Sequence, residues 1–183
     1  IKIIYSATSA SLGNKGNDES LSPYAFSKSK NLKLLIHLRK WFGLSFEALY
    51  FFNVYGPRQI SIGPMATVIG IFEKQFINNK FITVVKPGNQ SRKFTHIEDT
   101  VKGCYLAWKR NLNKHYALSN SKSYSISQVA KMFGKKIKYI KPRLGERKKS
   151  TLVNKIGSIK INKIKCSIDL KSYIINFKKI SKS

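Results

Sequence analysis

Two residues near the start of the chain have the types and spacing for acid-base chemistry. Tyr24 and Lys28 lie four positions apart in the segment SPYAFSKSK, so a helix would place both side chains on one face. A phenol with a reference pKa of about 10 is a poor base at neutral pH, and a nearby ammonium favours the phenolate. Tyr24 could then accept a proton from a hydroxyl group. The spacing is equally typical of a partly buried tyrosine beside a lysine whose aliphatic stem packs against it.

The surrounding sequence predicts the elements that would position these two side chains. Residues 1–5 are an apolar, β-branched run typical of a buried strand, and the Ser-, Gly- and Asn-rich residues 6–17 predict a loop. Ser22 followed by Pro23 predicts a capped helix start. Residues 46–52 predict a second strand, and the order strand, helix, strand indicates a parallel sheet.

The rest of the chain alternates between predicted helices, one further strand and loops. Helices are predicted at residues 68–78, 98–112, 127–134 and near 170–177, a strand at 81–85, a loop at 86–94, and loop or poorly ordered chain at 148–165. Ser125 with Gln128 resembles a capping box. His96 and Asp99 are expected to help start the helix at 98 rather than to react.

Composition and length indicate a folded chain without a membrane span. The 183 residues are 42% hydrophobic and 12% aromatic, which is enough for a buried core. No apolar stretch is long enough to cross a bilayer, and the first ten residues lack the features of a signal peptide, so the expected location is the cytoplasm. Cys104 and Cys166 lack metal-binding spacing and a disulfide context, so ordinary thiols and no metal site are expected.

The formal net charge of +27 is typical of a protein with a polyanionic partner. The lysines are spread along the whole chain among Ile, Asn and Ser, which a general compositional bias explains as well as a binding face does. The sequence contains no helix-turn-helix, zinc-finger, KH-type or RNP-like motif. Specific nucleic-acid binding is therefore not expected, and a non-catalytic basic nucleic-acid-binding protein is kept as an alternative.

Four segments in a set order extend the pattern around Tyr24 and Lys28. They are YSATSASLG, SPYAFSKSKNL, YFFNVYGPRQ and QSRKFTHIEDTVKG. Together they resemble the extended short-chain dehydrogenases of the NAD-dependent epimerase/dehydratase family, which act on nucleotide sugars. The resemblance runs over residues 1–145 and implies NAD as cofactor, a nucleotide sugar as substrate and a homodimer when the protein is complete.

The resemblance implies a role for each residue of the reacting centre. Thr8, five residues before a glycine in the first segment, would hydrogen-bond the reacting sugar hydroxyl. Tyr24 would be the acid and base, and Lys28 would hold the nicotinamide ribose while tuning Tyr24. Thr8 and Tyr24 would therefore contact both substrate and cofactor. The alternative for Thr8 is a simple loop hydroxyl, and Ser6 or Ser9 could be confused with it.

The resemblance also implies contacts with the nucleotides. Phe52 would lie near the nicotinamide and Asn53 on the substrate diphosphate, although from the residues alone they pass for a core residue and a turn former. Arg92 matches the family arginine that binds the nucleotide phosphates, for which a bidentate contact is apt. The family usually has aspartate where this chain has Lys93. Arg143 in PRLGER would be a second nucleotide contact. By the same analogy residues 83–85 would lie beside the base, or simply form an edge strand.

The residues after Thr8 bear on which reaction is catalysed. Relatives that dehydrate the sugar carry Asp and Glu there, and those that decarboxylate uronic acids keep the Glu, whereas this chain has Ser9 and Ala10. Elimination is therefore disfavoured, and an epimerase of the UDP-glucose 4-epimerase type is expected. Another NAD-dependent dehydratase, decarboxylase or reductase acting on a nucleotide sugar is the alternative.

The expected fold class is α/β, the C-terminal half of a Rossmann-like parallel sheet with a smaller α/β substrate-binding region. The expected division is a partial Rossmann-like catalytic segment at residues 1–60, a mixed substrate-binding segment at 61–147 and a basic tail with a final helix at 148–183. No glycine-rich GxGxxG turn between a strand and a helix occurs, and the chain opens on Ile1 inside an apolar run. The chain is therefore expected to be an N-terminally truncated fragment, inactive alone.

Overall fold

The computed structural model describes residues 1–9, 22–141 and 153–181. In chain order its elements are β1 (Ile3–Thr8), α1 (Pro23–Phe42), β2 (Phe46–Phe51), β3 (Val54–Tyr55), α2 (Val68–Ile77), β4 (Ile82–Val85), β5 (Ser91–Lys93), β6 (Thr95–His96), α3 (Ile97–Arg110), β7 (His115–Ser119), β8 (Ser123–Ser125), α4 (Ile126–Met132), β9 (Ile137–Ile140), β10 (Lys155–Ile156), β11 (Ile159–Lys165) and α5 (Leu170–Ile180). The mixed α/β fold that the sequence predicts is confirmed.

A five-stranded sheet, in the order β1-β2-β7-β11-β10, forms the first of two structural regions and takes strands from both ends of the chain. The first four strands run parallel, and β10 pairs antiparallel with β11 at the edge. Strand β2 is buried along nearly its whole length, as is typical of a parallel strand covered on both faces. Helix α1 covers one face, where Leu32 packs with Ala48 and Tyr50. Helix α3 covers the other, where Ala107 packs with Leu49.

The second structural region is a smaller α/β unit around an aromatic core. Helices α2, α4 and α5 pack against the parallel pair β4 and β9, and the Phe133 ring contacts the rings of both Phe72 and Phe76. The same hydrophobic cluster includes Tyr55 and Ile174, which lie before residue 60 and after residue 148 in the chain. The expected division at residues 60 and 147 stays a prediction.

The predicted helix boundaries around the site are confirmed where the sequence carries capping signals. The Ser22 hydroxyl accepts a hydrogen bond of 3.2 Å from the amide of Ala25, and Pro23 opens α1. Gly43 ends that helix at a φ of 67°, a left-handed conformation that costs glycine little. Both bonds of the capping box between Ser125 and Gln128 are formed, at 3.1 Å and 2.8 Å.

Two predicted loops contain strands. The segment 86–94 includes β5, because Ser91–Lys93 pairs antiparallel with β8, more than thirty residues later in the chain. The prediction of loop for residues 148–165 is wrong from residue 155 onward, where β10 and β11 form. Ile161 and Ile164 of β11 are buried, whereas the lysines at 160, 163 and 165 are exposed. Residues 148–152 of that prediction lie outside the described part of the chain.

Candidate active site and nucleotide cavity

Thr8 lies at the carboxyl end of strand β1. It is buried, and it pairs in register with Phe51 at the end of β2. The carboxyl ends of neighbouring parallel strands meet at one edge of a sheet, where ligands of α/β proteins bind. The two residues that follow β2, Phe52 and Asn53, therefore leave the sheet at the same edge as Thr8.

Helix α1 presents Lys28 to strand β1. The Lys28 ammonium donates hydrogen bonds to the carbonyl oxygen of Ser6 at 2.9 Å and to the Ser6 hydroxyl at 3.3 Å. The Tyr5 hydroxyl donates in turn to the Lys28 carbonyl oxygen at 2.7 Å, and the ammonium lies 5.5 Å from the Tyr5 ring centroid. These contacts from two directions fix the cation two residues before Thr8.

Tyr24 lies one turn before Lys28, in the first turn of α1, and 51% of it is exposed. An exposed phenol at this position can meet a bound molecule, whereas the half-buried Tyr5 donates its hydroxyl hydrogen to the Lys28 carbonyl oxygen. The pKa of Tyr5 is raised chiefly by burial and secondly by Tyr24, which indicates that the two phenols lie close together. The arrangement offers a proton acceptor beside a fixed cation and a buried hydroxyl.

Phe52 is fully buried in the hydrophobic cluster beneath α1. Its placement matches the core residue that the sequence left open as an alternative, and its contact with a nicotinamide stays a prediction. Asn53 has a φ of 39°, a left-handed conformation that asparagine tolerates better than most residues. Its side-chain amide donates to the carbonyl oxygen of Lys93 at 2.8 Å, which ties the end of β2 to β5.

Asn53 and Arg92 wall one cavity of about 500 Å³, close to the point where the chain leaves β2. The other residues that line it are Val54, Ala66, Thr67, Val68, Ile69, Ile71, Phe72, Thr83, Val85, Phe94, Ile126 and Ile140. The cavity thus brings together Asn53, Arg92 and residues 83 and 85, which the sequence associates with the nucleotide. Thr8, Tyr24 and Lys28 form the neighbouring group at the sheet edge.

Arg92 lies in the middle of β5, paired with Tyr124 of β8. Its guanidinium donates to the Ser91 carbonyl oxygen at 3.0 Å. The Lys93 ammonium is held away from this cavity wall by the carbonyl oxygens of Asn120 and Ser121, at 3.2 Å and 2.6 Å. Burial, with Lys163 as a second cause, lowers the pKa of Lys93. The lysine that replaces the family aspartate therefore adds no side chain to the cavity lining.

The first turn of helix α2 forms the opposite part of the wall. Thr67 caps the helix by accepting a hydrogen bond of 3.0 Å from the amide of Gly70. The amino end of a helix carries partial positive charge and suits anionic groups. With Arg92 it gives the cavity a cationic character suited to phosphates. Thr67 was missed as a wall residue, although a threonine before an apolar helical run is a readable cap signal.

Three further residues singled out in the sequence are Arg143, His96 and Asp99. Arg143 lies outside the described residues. The His96 ring caps α3, accepting from the amide of Glu98 at 3.3 Å, and the Asp99 carboxylate accepts from the amides of Ser167 and Ile168, both at 2.9 Å. The role expected for His96 in starting α3 is confirmed, although the helix begins one residue earlier than expected. Asp99 is structural, as expected, but its carboxylate holds residues 167 and 168 rather than the helix start.

Neither cysteine is arranged for chemistry. Burial raises the pKa of Cys104, and burial with Asp99 raises that of Cys166 to about 11, which favours the thiol. Among residues 1–9, 22–141 and 153–181, no cluster of His, Cys, Asp and Glu could hold a metal ion. No helix in those same segments has both the length and the apolar character to cross a membrane.

A parallel sheet with a hydroxyl, a phenol and an ammonium at its carboxyl edge, beside a cationic cavity, is an arrangement of nucleotide-binding α/β enzymes. Residues 2–119 match the NAD dependent epimerase/dehydratase family. The chain belongs to this family.

Curated relatives with similar sequences include two described as UDP-glucose epimerases. An uncharacterized UDP-glucose epimerase of Bacillus subtilis is 36% identical over 107 residues, which are 55% of this chain and 33% of the relative. A putative UDP-glucose 4-epimerase of Methanocaldococcus jannaschii is 31% identical over 134 residues, 69% of this chain and 43% of the relative. The chain thus spans less than half the length of these relatives.

Solved structures share the fold. A UDP-glucose 4-epimerase of Thermotoga maritima, solved with UDP-glucose, has a TM-score of 0.82 at 21% identity and covers 100% of this chain, which spans 64% of it. A UDP-glucuronic acid 4-epimerase of Bacillus cereus, solved with UDP-glucuronic acid and NAD, has a TM-score of 0.80 at 23% identity, with coverages of 99% and 61%. A dTDP-glucose 4,6-dehydratase of Streptomyces venezuelae, solved with NAD, has a TM-score of 0.79 at 15% identity, with coverages of 98% and 60%. Epimerases and dehydratases of the family therefore share this architecture.

Proposed function

We propose that the chain carries the reacting and nucleotide-binding residues of an NAD-dependent nucleotide-sugar epimerase of the UDP-glucose 4-epimerase type. The observation that carries the proposal is that Asn53 and Arg92 line one cavity. Asn53 comes two residues after Phe51, which pairs with Thr8 in the sheet, so the cavity lies close to the reacting residues. A substrate whose diphosphate lay in the cavity could extend its sugar to the sheet edge that carries Thr8, Tyr24 and Lys28.

The cavity wall supports binding of a nucleoside diphosphate. The Arg92 guanidinium can make charge-assisted hydrogen bonds to phosphate oxygens, and the amino end of α2 favours the same charge. Asn53 adds a polar wall residue. Thr83 and Val85 lie on the face of β4 that lines the cavity, where they offer a contact surface for a planar base. Arg143 is proposed as a second nucleotide contact on the resemblance alone.

The residues at the sheet edge support proton transfer to and from a sugar hydroxyl. Thr8 would donate or accept a hydrogen bond that orients the hydroxyl, and Tyr24 would take its proton. The Lys28 ammonium, held by the Ser6 carbonyl oxygen one helical turn from Tyr24, would offset the negative charge that Tyr24 gains when it takes the proton. Return of the proton by Tyr24 to the product hydroxyl would complete the cycle. Each of these steps uses side chains of this chain alone.

The described residues fit one end of NAD. Lys28 and Tyr24, next to the carboxyl end of β1, suit the hydroxyls of the nicotinamide ribose, whereas the sequence has no glycine-rich turn for the pyrophosphate. When bound, NAD supplies the acceptor for transient oxidation of the sugar. Phe52 is proposed to border the nicotinamide from within the core.

The open side of the sheet supports a companion segment that would complete the cofactor site. Among the described residues, no strand pairs with β1 on the side away from β2. Beside this edge α3 exposes Val101, Tyr105 and Trp108, each more than half exposed, and the Lys2 ammonium donates to the Trp108 carbonyl oxygen. An unpaired parallel edge next to an apolar helix face suits a further α/β segment. The chain alone is proposed to be inactive.

Two further properties of the complete protein are proposals. A homodimer is supported by the exposed side of α1, where Leu34 and Trp41 lie seven residues apart and Trp41 stacks on His37 with ring centroids 5.1 Å apart. The cytoplasmic location stays a prediction.

The choice of epimerisation over dehydration rests on Ser9 and Ala10. Water elimination needs an acid and a base next to the reacting carbons, and these two positions carry neither. The Ser9 hydroxyl is not ionised near neutral pH, so it cannot replace the carboxylic acid and the carboxylate that elimination uses. Oxidation and reduction at one carbon need only the groups already described.

A second candidate function is binding of a polyanion such as single-stranded nucleic acid. A cleft of about 550 Å³ is lined by Lys80, Lys135, Lys136 and Lys138 beside Phe81, whose ring is 54% exposed. Ammonium groups and an exposed aromatic ring suit phosphates and stacked bases. Affinity for a thymidine oligonucleotide should then fall steeply with salt, and an absence of binding at low salt would remove this candidate.

The epimerase proposal is tested by completing the protein. The chain is joined to a glycine-rich Rossmann segment and supplied with NAD and UDP-galactose. We expect UDP-glucose to form, and Tyr24→Phe to abolish its formation. Tyr139→Phe is the matched control, since Tyr139 is a comparably exposed phenol on β9. Failure to form UDP-glucose, with Tyr24→Phe leaving any other activity unchanged, would refute the proposal.

A further inference from the structure

A hydrogen-bonded chain of side chains runs from the cavity wall to the last helix. The Thr67 hydroxyl donates to Gln59 Oε1, Gln59 Nε2 donates to Glu73 Oε2, and the Tyr173 hydroxyl donates to Glu73 Oε1, each at 2.8 Å. Of these residues, Thr67 alone lines the cavity. The other three lie behind it, and Tyr173 belongs to α5.

The directions of these bonds follow from the carboxylate end. The ionised Glu73 carboxylate only accepts, so Gln59 presents its amino group to Glu73 and its carbonyl to Thr67. The Thr67 hydroxyl, which also accepts from the Gly70 amide, donates to that carbonyl. The Glu73 carboxylate accepts at both oxygens, one of them from Tyr173. Three hydrogen bonds thus connect Tyr173 to the cap of α2.

The segment after Gln59 also clamps the start of α2. The Thr67 amide donates to the Ile60 carbonyl oxygen at 2.9 Å. A Cβ added to Gly70 would lie 2.6 Å from that oxygen and 3.1 Å from Gln59 Cγ, so the helix and the segment are in backbone contact. Where Gln59 lies therefore decides where the first turn of α2 lies.

Aromatic contacts hold Tyr173 in place at the far end of this series of hydrogen bonds. The Tyr173 ring packs edge-on against Tyr55, with centroids 5.1 Å apart, and contacts His96 at 5.5 Å. Burial raises the pKa of Glu73, against the lowering effect of its bonds to Tyr173 and Gln59. A desolvated carboxylate depends strongly on the donors that remain to it.

We infer that Tyr173 and Glu73 are positioning residues for nucleotide binding, because through Gln59 they fix Thr67 and the first turn of α2 in the cavity wall. The inference rests on the proposed function, which assigns the nucleotide to this cavity. It gives α5, which contributes no residue to the cavity lining, a role in substrate affinity.

The test compares two tyrosines of the aromatic cluster, Tyr173 and Tyr55. Tyr173→Phe removes the donor to Glu73, whereas Tyr55→Phe removes a donor to the Ile168 carbonyl oxygen in the same aromatic cluster and leaves the chain from Thr67 intact. With UDP as the probe, we expect the dissociation constant to rise about threefold to tenfold in Tyr173→Phe. Tyr55→Phe should bind UDP as the unaltered protein does, with a similar loss of thermal stability.

A double-mutant cycle and amide exchange separate positioning from general destabilisation. Thr67→Ala and Tyr173→Phe should be non-additive for UDP, since the second change removes little once the first has broken the chain. The Gly70 amide should exchange faster in Tyr173→Phe but not in Tyr55→Phe, a measurement that needs no ligand. Equal UDP affinity and unchanged exchange in Tyr173→Phe would overturn the inference. If the unaltered protein bound no UDP, the proposed function would fail first, and the inference would fail with it.

Discussion

The Lys28 ammonium is hydrogen-bonded to the carbonyl oxygen of Ser6 at 2.9 Å, which attaches the cation of helix α1 directly to strand β1. Two residues further along that strand lies Thr8, and one turn earlier along the helix lies Tyr24. The position of the cation is therefore set by the backbone of the strand that ends at the candidate site. A flexible lysine on an exposed face would lack this support.

Lys28→Met is expected to lower epimerase activity of the completed protein by about a hundredfold. The methionine keeps most of the apolar stem, but it removes the charge beside Tyr24 and both bonds to Ser6. Initial rates with UDP-galactose measure the effect. The control is Lys30→Met, which removes a cation over the Phe26 ring, 5.0 Å from its centroid, on the same helix. Equal losses in both variants would contradict the assigned role.

Arg92→Ala is expected to weaken UDP binding by about tenfold or more, because it removes a charge-assisted contact from the cavity wall. Arg92→Lys should recover only part of the affinity, since an ammonium cannot form the paired bonds of a guanidinium. Titration calorimetry measures both. Lys93→Met is the control, because the Lys93 ammonium is bound to the carbonyl oxygens of Asn120 and Ser121. A larger effect of Lys93→Met on UDP than of Arg92→Ala would show the phosphate contact to be misassigned.

Gly103→Ala is expected to destabilise the protein by about 1–3 kcal/mol. A Cβ at this position of α3 would lie 1.8 Å from Leu118 Cδ2, and Leu118 is fully buried in β7, so it has no room to move aside. Chemical unfolding measures the loss. Lys102→Ala, the neighbouring exposed position, should change stability little. An unchanged midpoint in Gly103→Ala would mean that α3 packs less closely on the sheet than described.

Stability is expected to fall below pH 6.5 because of His115. Burial, with Arg39 as a second cause, lowers the pKa of His115 to about 4, and its Nδ1 lies 3.0 Å from the Tyr50 hydroxyl. Between pH 6.5 and 4 the unfolded chain binds a proton that the folded protein does not. The loss should approach about 1.4 kcal/mol per pH unit in that window.

The His115 contribution is separated from other acid effects by substitution. His115→Gln should reduce the pH dependence of the free energy of unfolding between pH 6.5 and 4, whatever its effect at neutral pH. The control is His37→Gln, which changes an exposed histidine on α1. An unaltered slope in His115→Gln would assign the acid sensitivity elsewhere.

Local signals in the sequence were sufficient for the elements around the reacting residues. Ser22 and Pro23 predict the start of α1. Because Tyr24 and Lys28 are four residues apart, helical geometry alone places their side chains on one face. The strand of β1 was visible as an apolar run, although it ends at Thr8 rather than at residue 5. These features depend on neighbouring residues, which is why pattern and capping chemistry can predict them.

Long-range pairing accounts for what the sequence did not predict. Arg92 lies in a strand only because β5 pairs with β8, and the alternating Ile and Lys of β11 resemble a basic loop until β7 supplies a partner. The contact between Glu73 and Tyr173 joins residues 100 positions apart. No local rule reports such contacts, so the cavity behind Asn53 and the network behind Thr67 needed the structure.

The central claim is oxidation and return of hydrogen at one sugar carbon by a site built on Tyr24. UDP-galactose carrying deuterium at C4 tests it most directly in the chain joined to a Rossmann segment. We expect UDP-glucose that keeps the deuterium at C4, because the hydrogen removed from that carbon returns to its other face. Tyr24→Phe should form none of this product. Loss of the deuterium to solvent, or a dehydrated product in its place, would contradict the account.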